Sequence, residues 1–231
     1  MKYTDLFFDL DRTLWDFDRN SRETLLEIHL EFKLAEVIRA DFETFHAVFA
    51  EKNLALWREL RGGNNAKEEL RTRRFTDTIF HFNNQDWKLA RKMSQYYLDV
   101  CPYKQHLVSG SQEVLDYLTQ KYNLHLITNG FGDSQRIKLK ESQLEKYFDQ
   151  VIISDETPYR KPMRAIFNFA LEKAQTQASR SVMIGDDLSK DILGAKKAGI
   201  DQVYFAKVSG RRPPFKPTYE ITDLSELMTL F

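Results

Sequence analysis

Residues 5–13 read DLFFDLDRT, a short apolar run that ends abruptly in two carboxylates. The run predicts a buried parallel strand, because strands that are covered on both faces are continuously apolar. Side chains alternate along a strand, so Asp9 and Asp11 are expected to point to the same side. Two adjacent carboxylates repel each other unless a cation or a proton lies between them. The pair therefore predicts a divalent metal site, an acid–base pair, or both.

Each of the two carboxylates suits a chemical role. Asp9, at the end of the strand, is a candidate nucleophile, because a carboxylate needs no base to activate it and accepts a phosphoryl group as an acyl phosphate. Asp11 is a candidate general acid and then general base. Mg²⁺ prefers oxygen ligands and keeps part of its water shell, so a few carboxylates are enough to hold it. An isolated Asp-x-Asp is more often a capping pair in a loop, so the assignment depends on the motifs downstream.

The composition excludes several classes of protein. The 231 residues are 42% hydrophobic and 13% aromatic, which allows a sizeable core and argues against disorder. The formal net charge of +0 indicates neither a nucleic-acid partner nor a membrane surface. Cys101 is the single cysteine, which excludes an intramolecular disulfide and a cysteine-rich zinc site. With no membrane-spanning apolar run and no signal-peptide pattern, we expect a cytoplasmic protein.

The pattern of the chain predicts an inserted domain. Between residues 16 and 100, apolar side chains recur at helical spacing, breaks such as Gly62-Gly63 separate the helices, and no convincing strand is found. From residue 101 onward, strand and helix patterns alternate as far as a last strand at residues 202–206, which a proline-rich loop follows. Such alternation predicts a parallel sheet covered on both faces. We expect a core domain of residues 1–15 and 101–231, and a helical domain of residues 16–100.

Further polar residues follow the predicted strands, where the ligands of parallel sheets bind. Thr128 ends one strand, and with the N–H groups of Asn129 and Gly130 it offers donors for the oxygens of a transferring phosphoryl group. Lys161 precedes a helix, and its ammonium could balance the charge of phosphate and carboxylates.

Two more aspartates follow another strand in the sequence Gly185-Asp186-Asp187, and Asp191 stands at the next helix start. Asp187 or Asp191 is expected to complete the metal shell or to orient waters and Lys161. The predicted metal ligands are Asp9, Asp11 and Asp186. On the helical insertion, Asn53, Trp57 and Arg74 are candidates to face the site, and a structural role is the alternative for each.

The four motifs together resemble those of the haloacid dehalogenase superfamily of aspartyl phosphotransferases. In this chain they are Asp9-Leu10-Asp11-Arg12-Thr13, Thr128-Asn129-Gly130, Lys161-Pro162, and Gly185-Asp186-Asp187 with Asp191. The resemblance covers essentially the whole chain and implies an α/β fold, a Rossmann-like parallel sheet of order 5-4-1-2-3 with an α-helical cap inserted after the first motif. Within the first cap subclass, the chain is similar to house-cleaning pyrimidine 5′-nucleotidases. That likeness rests on residues 7–14, residues 127–131, and the cap segments Asn53 to Trp57 and Arg74-Phe75.

The resemblance implies a Mg²⁺-dependent phosphomonoester hydrolase that acts on nucleoside 5′-monophosphates through an aspartyl-phosphate intermediate. It implies a small phosphomonoester as partner, with no nucleic-acid polymer and no membrane, and a monomer or weak homodimer. The implied catalytic residues are Asp9, Asp11, Thr128 and Lys161, and the implied supporting residues are Asp187 and Asp191. The implied substrate-binding residues are Thr13, Asn129, Gly130, Asn53 and Arg74.

Several alternatives remain open from the sequence. A phosphoglycolate-type phosphatase, a sugar-phosphate phosphatase and a phosphomutase share the same core and differ mainly in the cap. A 2-haloacid dehalogenase of this superfamily lacks the second aspartate, so the presence of Asp11 favours phosphoryl transfer. A phospho-receiver domain uses similar residues but would be about half this length. A catalytically inactive binding protein is the remaining class.

Overall fold

The structure is a computed structural model that describes residues 2–59, 64–206 and 215–231, and the backbone alone for residues 64–68. The predicted break at Gly62-Gly63 and most of the predicted proline-rich loop lie outside the described residues. The chain divides into two compact units. The core unit comprises Met1–Phe17 and Gln105–Phe231, and the helical unit comprises Asp18–Lys104.

The described part of the core unit contains a six-stranded parallel sheet. Its strands are β1 (Asp5–Phe8), β2 (Asn123–Thr128), β3 (Gln150–Ile153), β4 (Ser181–Gly185), β5 (Asp201–Phe205) and β6 (Tyr219–Ile221). Their order is β3-β2-β1-β4-β5-β6, which is the predicted Rossmann-like order counted from the other edge, with one strand added. The predicted α/β fold is therefore confirmed.

Strand β6 was not expected, because residues 202–206 were predicted to form the last strand. It pairs in parallel with β5, with Tyr219 opposite Val203 and Ile221 opposite Phe205. Its burial alternates only once, from half-buried Tyr219 through exposed Glu220 to buried Ile221. Three residues are too few to show the alternation of buried and exposed side chains by which a strand is predicted from sequence. The outer strand β6 therefore owes its conformation to pairing with β5.

The long helices lie in the stretches that the pattern indicated, and a short helix near the end of the chain was not predicted. The helical unit is built from α1 (Phe17–Glu31), α2 (Leu34–Val37), α3 (Phe42–Glu59), α4 (Asn64–His81) and α5 (Trp87–Val100). The helices of the core unit are α6 (Ser111–Leu118), α7 (Gly132–Glu141), α8 (Arg164–Lys173), α9 (Leu193–Ala198) and α10 (Leu227–Leu230). Among the described residues, no helix combines the length and the apolar character needed to cross a bilayer.

The core of the sheet fixes the position of the strand ends. Phe7, Ile127 and Met183, from three adjacent strands, pack in one fully buried cluster with Ile166 and Phe167 of α8. The strands are in register, so that β1 lies between β2 and β4 with their carboxyl ends side by side. Residues that follow these three strands are therefore brought to one edge of the sheet.

The helical unit has its own aromatic core. The rings of Phe49 on α3 and Phe75 on α4 have centroids 4.9 Å apart, and Tyr97 on α5 lies 6.0 Å and 5.7 Å from them. These separations are typical of packed aromatic pairs. The aromatic residues of the insertion therefore hold its helices together.

Candidate active site

Asp9 lies immediately beyond the end of β1. Its backbone N–H still donates to the carbonyl of Ile184 at 2.9 Å, which fixes it against β4. The chain then turns, because the carbonyl of Leu10 accepts hydrogen bonds from three backbone N–H groups that follow. The strand ends at Phe8, before both Asp9 and Asp11, so strand alternation does not set the directions of these two side chains.

Three carboxylates meet at this edge of the sheet. One oxygen from each of Asp9, Asp186 and Asp191 lies within 4.8 Å of the other two. Burial and repulsion from Asp9 and Asp191 raise the pKa of Asp186 to about 8. Burial raises the pKa of Asp191 to about 7, and repulsion from Asp9 adds to this although Lys161 opposes it. Burial is thus the larger cause of both shifts, and repulsion between the carboxylates adds to it.

Lys161 lies beside two of these carboxylates and is only 3% exposed. Its Nζ donates to Asp9 Oδ1 at 2.6 Å and to the carbonyl of Ile127 at 2.7 Å, and it lies 2.7 Å from Asp191 Oδ1. Burial acts to lower the pKa of Lys161, but the carboxylates of Asp191 and Asp9 raise it above its ordinary value. The ammonium contacts two of the three carboxylates, and the oxygens that it does not contact are available to a divalent cation.

The second motif, Thr128-Asn129-Gly130, lies at the end of β2 and also binds the backbone of Lys161. Asn129 Oδ1 accepts from the backbone N–H of Lys161 at 2.9 Å, and its Nδ2 donates to the carbonyl of Lys161 at 2.8 Å. Thr128 is buried at the end of β2, and its hydroxyl oxygen accepts from the N–H of Gly130 at 3.4 Å. The side chain of Asn129 thus fixes the loop that carries the lysine, a contact that sequence reasoning did not foresee.

Asp11 faces helix α7. Its Oδ1 accepts from Lys138 Nζ at 2.6 Å, and its Oδ2 accepts from Gln135 Nε2 at 3.0 Å. Gln135 Nε2 also donates to Thr128 Oγ1 at 2.6 Å. Sequence reasoning missed Gln135 and Lys138, although their spacing of three on a helix directly after the second motif places them on one face.

Thr13 and Asp187 support the loops around the cluster. The hydroxyl of Thr13 donates to Asp9 Oδ2 at 3.2 Å, so it orients the carboxylate. Asp187 Oδ1 accepts from the backbone N–H groups of Ser189 and Lys190, both at 2.9 Å, and so caps the turn that follows. Burial acts to raise the pKa of Asp187, but Lys190 and the hydrogen bonds of this cap lower it to about 2.

The candidates on the insertion lie inside the helical unit. Asn53 is buried, and its Oδ1 has no hydrogen-bond partner among the described residues. Arg74 is 6% exposed, its guanidinium lies 4.3 Å from the ring of Tyr97, and it pairs with no carboxylate of the described side chains. Burial lowers the pKa of Arg74. Trp57 is half-buried on the same helix as Asn53.

Comparison with known proteins places the chain among hydrolases. The family model described as haloacid dehalogenase-like hydrolase matches residues 6–205. Pyrimidine 5′-nucleotidase PynA of Streptococcus pneumoniae is 32% identical over 232 residues, covering 99% of this chain and 94% of the relative. Pyrimidine 5′-nucleotidase YjjG of Escherichia coli is 30% identical, with 100% and 98% covered. The crystal structure of the Bacillus subtilis HAD-hydrolase YfnB bound to magnesium superposes with a TM-score of 0.88 at 26% identity, covering 100% of this chain and 99% of that one.

Proposed function

This chain belongs to the haloacid dehalogenase-like hydrolase family, and we propose that it is a Mg²⁺-dependent phosphatase of nucleoside 5′-monophosphates that works through an aspartyl-phosphate intermediate. The family predicted from the four motifs is thereby confirmed. The observation that carries the proposed chemistry is the cluster of Asp9, Asp186 and Asp191, two of which contact the buried ammonium of Lys161. Such a cluster combines a nucleophilic carboxylate with groups that hold a cation and offset the charge of phosphate.

The residues present fit Mg²⁺. Asp9, Asp186 and Asp191 offer one oxygen each within 4.8 Å of one another, and burial, together with repulsion between the carboxylates, raises the pKa values of Asp186 and Asp191. We assign Asp191 the ligand position that sequence reasoning gave to Asp11, because a carboxylate oxygen of Asp191 lies within 4.8 Å of those of Asp9 and Asp186, whereas Asp11 is not part of this group. When bound, the cation supplies positive charge that reduces the repulsion between the substrate phosphate and the carboxylates.

The protein's own residues divide the reaction into two displacements. Asp9 attacks phosphorus in line, and the bond from phosphorus to the leaving alkoxide oxygen breaks while Asp11 gives that oxygen a proton. Asp11 then takes a proton from the water that attacks the aspartyl phosphate, which releases inorganic phosphate and restores Asp9. The ammonium of Lys161 and the hydroxyl of Thr128 bind the phosphoryl oxygens as negative charge shifts between them.

A substrate panel tests the choice of nucleotides. The two relatives that are named as pyrimidine 5′-nucleotidases match this chain over nearly its full length, which favours nucleoside 5′-monophosphates over other phosphate esters. The panel would compare pyrimidine and purine nucleoside 5′-monophosphates, sugar phosphates, phosphoglycolate and a 2-haloacid, each with Mg²⁺. We expect the highest kcat/KM with a nucleotide. A higher value with a sugar phosphate or phosphoglycolate would reject the nucleotidase, and halide release would reject phosphoryl transfer.

Replacing Arg74 with methionine is expected to weaken nucleotide hydrolysis selectively. We propose that its buried guanidinium, which has no carboxylate partner among the described side chains, donates to oxygens of the leaving nucleoside. Loss of a charged hydrogen bond of about 1.5–3 kcal/mol lowers kcat/KM for the nucleotide about 10- to 100-fold. The kcat/KM for an aryl phosphate should change little. The control is Arg73→Met, because Arg73 lies on the same helix but is exposed and paired with Glu69.

An equal loss with both substrates, together with a lower melting temperature, would assign Arg74 a structural role instead. Such a result would not contradict the catalytic roles proposed for the residues of the core unit. It would also locate the recognition of the nucleoside in other residues.

Adding Mg²⁺ is expected to stabilise the protein more at high pH than at low pH. Folded Asp186 keeps its proton up to a pKa of about 8, whereas an unfolded aspartate loses it near pH 4, so the folded state binds more protons between these values. Metal-free stability therefore falls as the pH rises through this range. A cation that neutralises the ionised carboxylates restores it.

Differential scanning fluorimetry at about pH 6 and about pH 8.5, with Mg²⁺ or with a chelator, measures this effect. The increase in melting temperature caused by Mg²⁺ should be larger at the higher pH, and Asp186→Asn should remove most of it. An increase that is independent of pH, or that persists in Asp186→Asn, would contradict the assignment of the cation to this cluster.

A further inference from the structure

Helix α7 turns a polar face inward at the edge of the site. Gln135 is 0% and Lys138 6% exposed, and a spacing of three residues places them on the same face. Lysine is seldom buried unless it is paired. Here the ammonium of Lys138 donates to Asp11 and lies 4.3 Å from the ring centroid of Trp15, a cation–π distance. A lysine that is buried and paired in this way has a specific structural or catalytic role, unlike an ordinary lysine on the solvent-exposed surface.

Gln135 links Asp11 to Thr128. An amide nitrogen carries two hydrogens, and Gln135 Nε2 uses one toward Asp11 Oδ2 and the other toward Thr128 Oγ1. The N–H of Gly130 also points to Thr128 Oγ1, so both lone pairs of this oxygen have donors. The hydrogen of the Thr128 hydroxyl is therefore left for an acceptor other than these groups, such as a phosphoryl oxygen.

Gly130 makes room for this link. A Cβ atom built at Gly130 would lie 2.2 Å from Cδ of Gln135, a distance that real side chains do not adopt. The absence of a side chain at this motif position is thus explained by the approach of Gln135. The second motif and helix α7, which follows it, therefore pack together, with Gln135 lying against Gly130 and bonded to Thr128.

We propose that Lys138 and Gln135 are positioning residues for the acid–base group of the reaction. They hold the two oxygens of Asp11, whose side chain is 25% exposed, and join it to the hydroxyl of Thr128. The inference rests on the proposed phosphatase function, and it assigns roles to two residues that lie outside the four sequence motifs. Misplacement of a catalytic group by about 1 Å can reduce the rate about 10²-fold. The rate gained by fixing the Asp11 carboxylate therefore offsets the cost of burying Lys138.

The test compares two esters that differ in their leaving groups. Lys138→Met keeps most of the length and apolar part of the side chain but loses the ammonium, which lies over the ring of Trp15. For a nucleoside 5′-monophosphate, whose alkoxide needs a proton in order to leave, kcat/KM is expected to fall about 10²-fold. For p-nitrophenyl phosphate, whose phenolate leaves unprotonated, the fall should be below about 10-fold. The ratio kcat/KM is used because it reports the phosphorylation of Asp9, the step that needs the acid.

A double-mutant cycle shows whether Lys138 acts through Asp11. In the Asp11→Asn background, Lys138→Met should cause little further loss. Lys138→Arg should recover part of the rate, because it restores a cation beside the carboxylate. The matched control is Lys140→Met, since Lys140 is exposed on the same helix. If Lys138→Met does not fold, Gln135→Leu undergoes the same comparison of esters and the same cycle.

Equal losses with both esters, or the full loss repeated in the Asp11→Asn background, would overturn the proposal. Unchanged kcat/KM in Lys138→Met and in Gln135→Leu would also overturn it. A failure of the proposed function has a different signature, namely that the wild-type protein itself hydrolyses no phosphate ester in the presence of Mg²⁺.

Discussion

Asp9→Asn is expected to abolish hydrolysis of phosphate esters, with kcat reduced by at least about 10⁴-fold. Asparagine has nearly the same shape, but its amide is a far weaker nucleophile and cannot form the acyl phosphate. The fold should persist, because the change removes one of three mutually repelling carboxylates and keeps an oxygen for Lys161. Initial rates on the best substrate of the panel, together with the melting temperature, measure the two effects. Asp149→Asn, at an exposed position before β3, is the control.

Detection of the covalent intermediate provides a second, independent test of the same prediction. Intact-mass measurement after an acid quench should detect a phosphoryl adduct on the wild-type protein during turnover and none on Asp9→Asn. In Asp11→Asn the adduct should accumulate when an aryl phosphate is used, because phosphorylation proceeds while the attacking water lacks its base. Turnover that survives in Asp9→Asn would remove this residue from its role, and an adduct on another residue would identify a different nucleophile.

The strand ends of the site could be predicted from the sequence because they depend on topology. A continuously apolar strand followed by polar residues determines where Asp9, Thr128 and Asp186 lie, since parallel strands end at one edge of the sheet. This argument needs no knowledge of side-chain conformation. It therefore places residues that are distant in the sequence at the same edge.

The partners of these residues could not be predicted, because they depend on which way helices and turns direct their side chains. Asp11 was placed by strand alternation, but the turn begins first and directs it toward Lys138 and Gln135 of α7. Asp187 and Asp191 were equivalent in the sequence. In the structure one caps a turn and the other contacts Lys161. Such distinctions arise from hydrogen bonds between elements, which a local pattern does not encode.

Lys161→Met is expected to affect stability as strongly as activity. Removing one partner of a buried ion pair lowers the free energy of unfolding by about 3–5 kcal/mol. This is a large share of the total free energy of unfolding of a typical native protein, which is about 5–15 kcal/mol. In this protein the change leaves Asp9 and Asp191 without the ammonium that both contact. Urea denaturation in the presence of a chelator measures the loss, and phosphate release should fall at least about 10²-fold. Lys197→Met, at an exposed position on α9, should change neither quantity appreciably.

A double variant separates the structural role of Lys161 from its catalytic role. Lys161→Met combined with Asp191→Asn removes a positive and a negative charge together, and neutral replacement of a buried ion pair is often tolerated. We expect the double variant to regain more than half of the stability that the single variant loses, because one fewer carboxylate is left uncompensated. Its activity should stay low, since the phosphate and Asp9 still lack the ammonium between them. A double variant as unstable as the single one would show that the pair with Asp191 is not the stabilising contact, whereas recovery of turnover would show that phosphoryl transfer does not require Lys161.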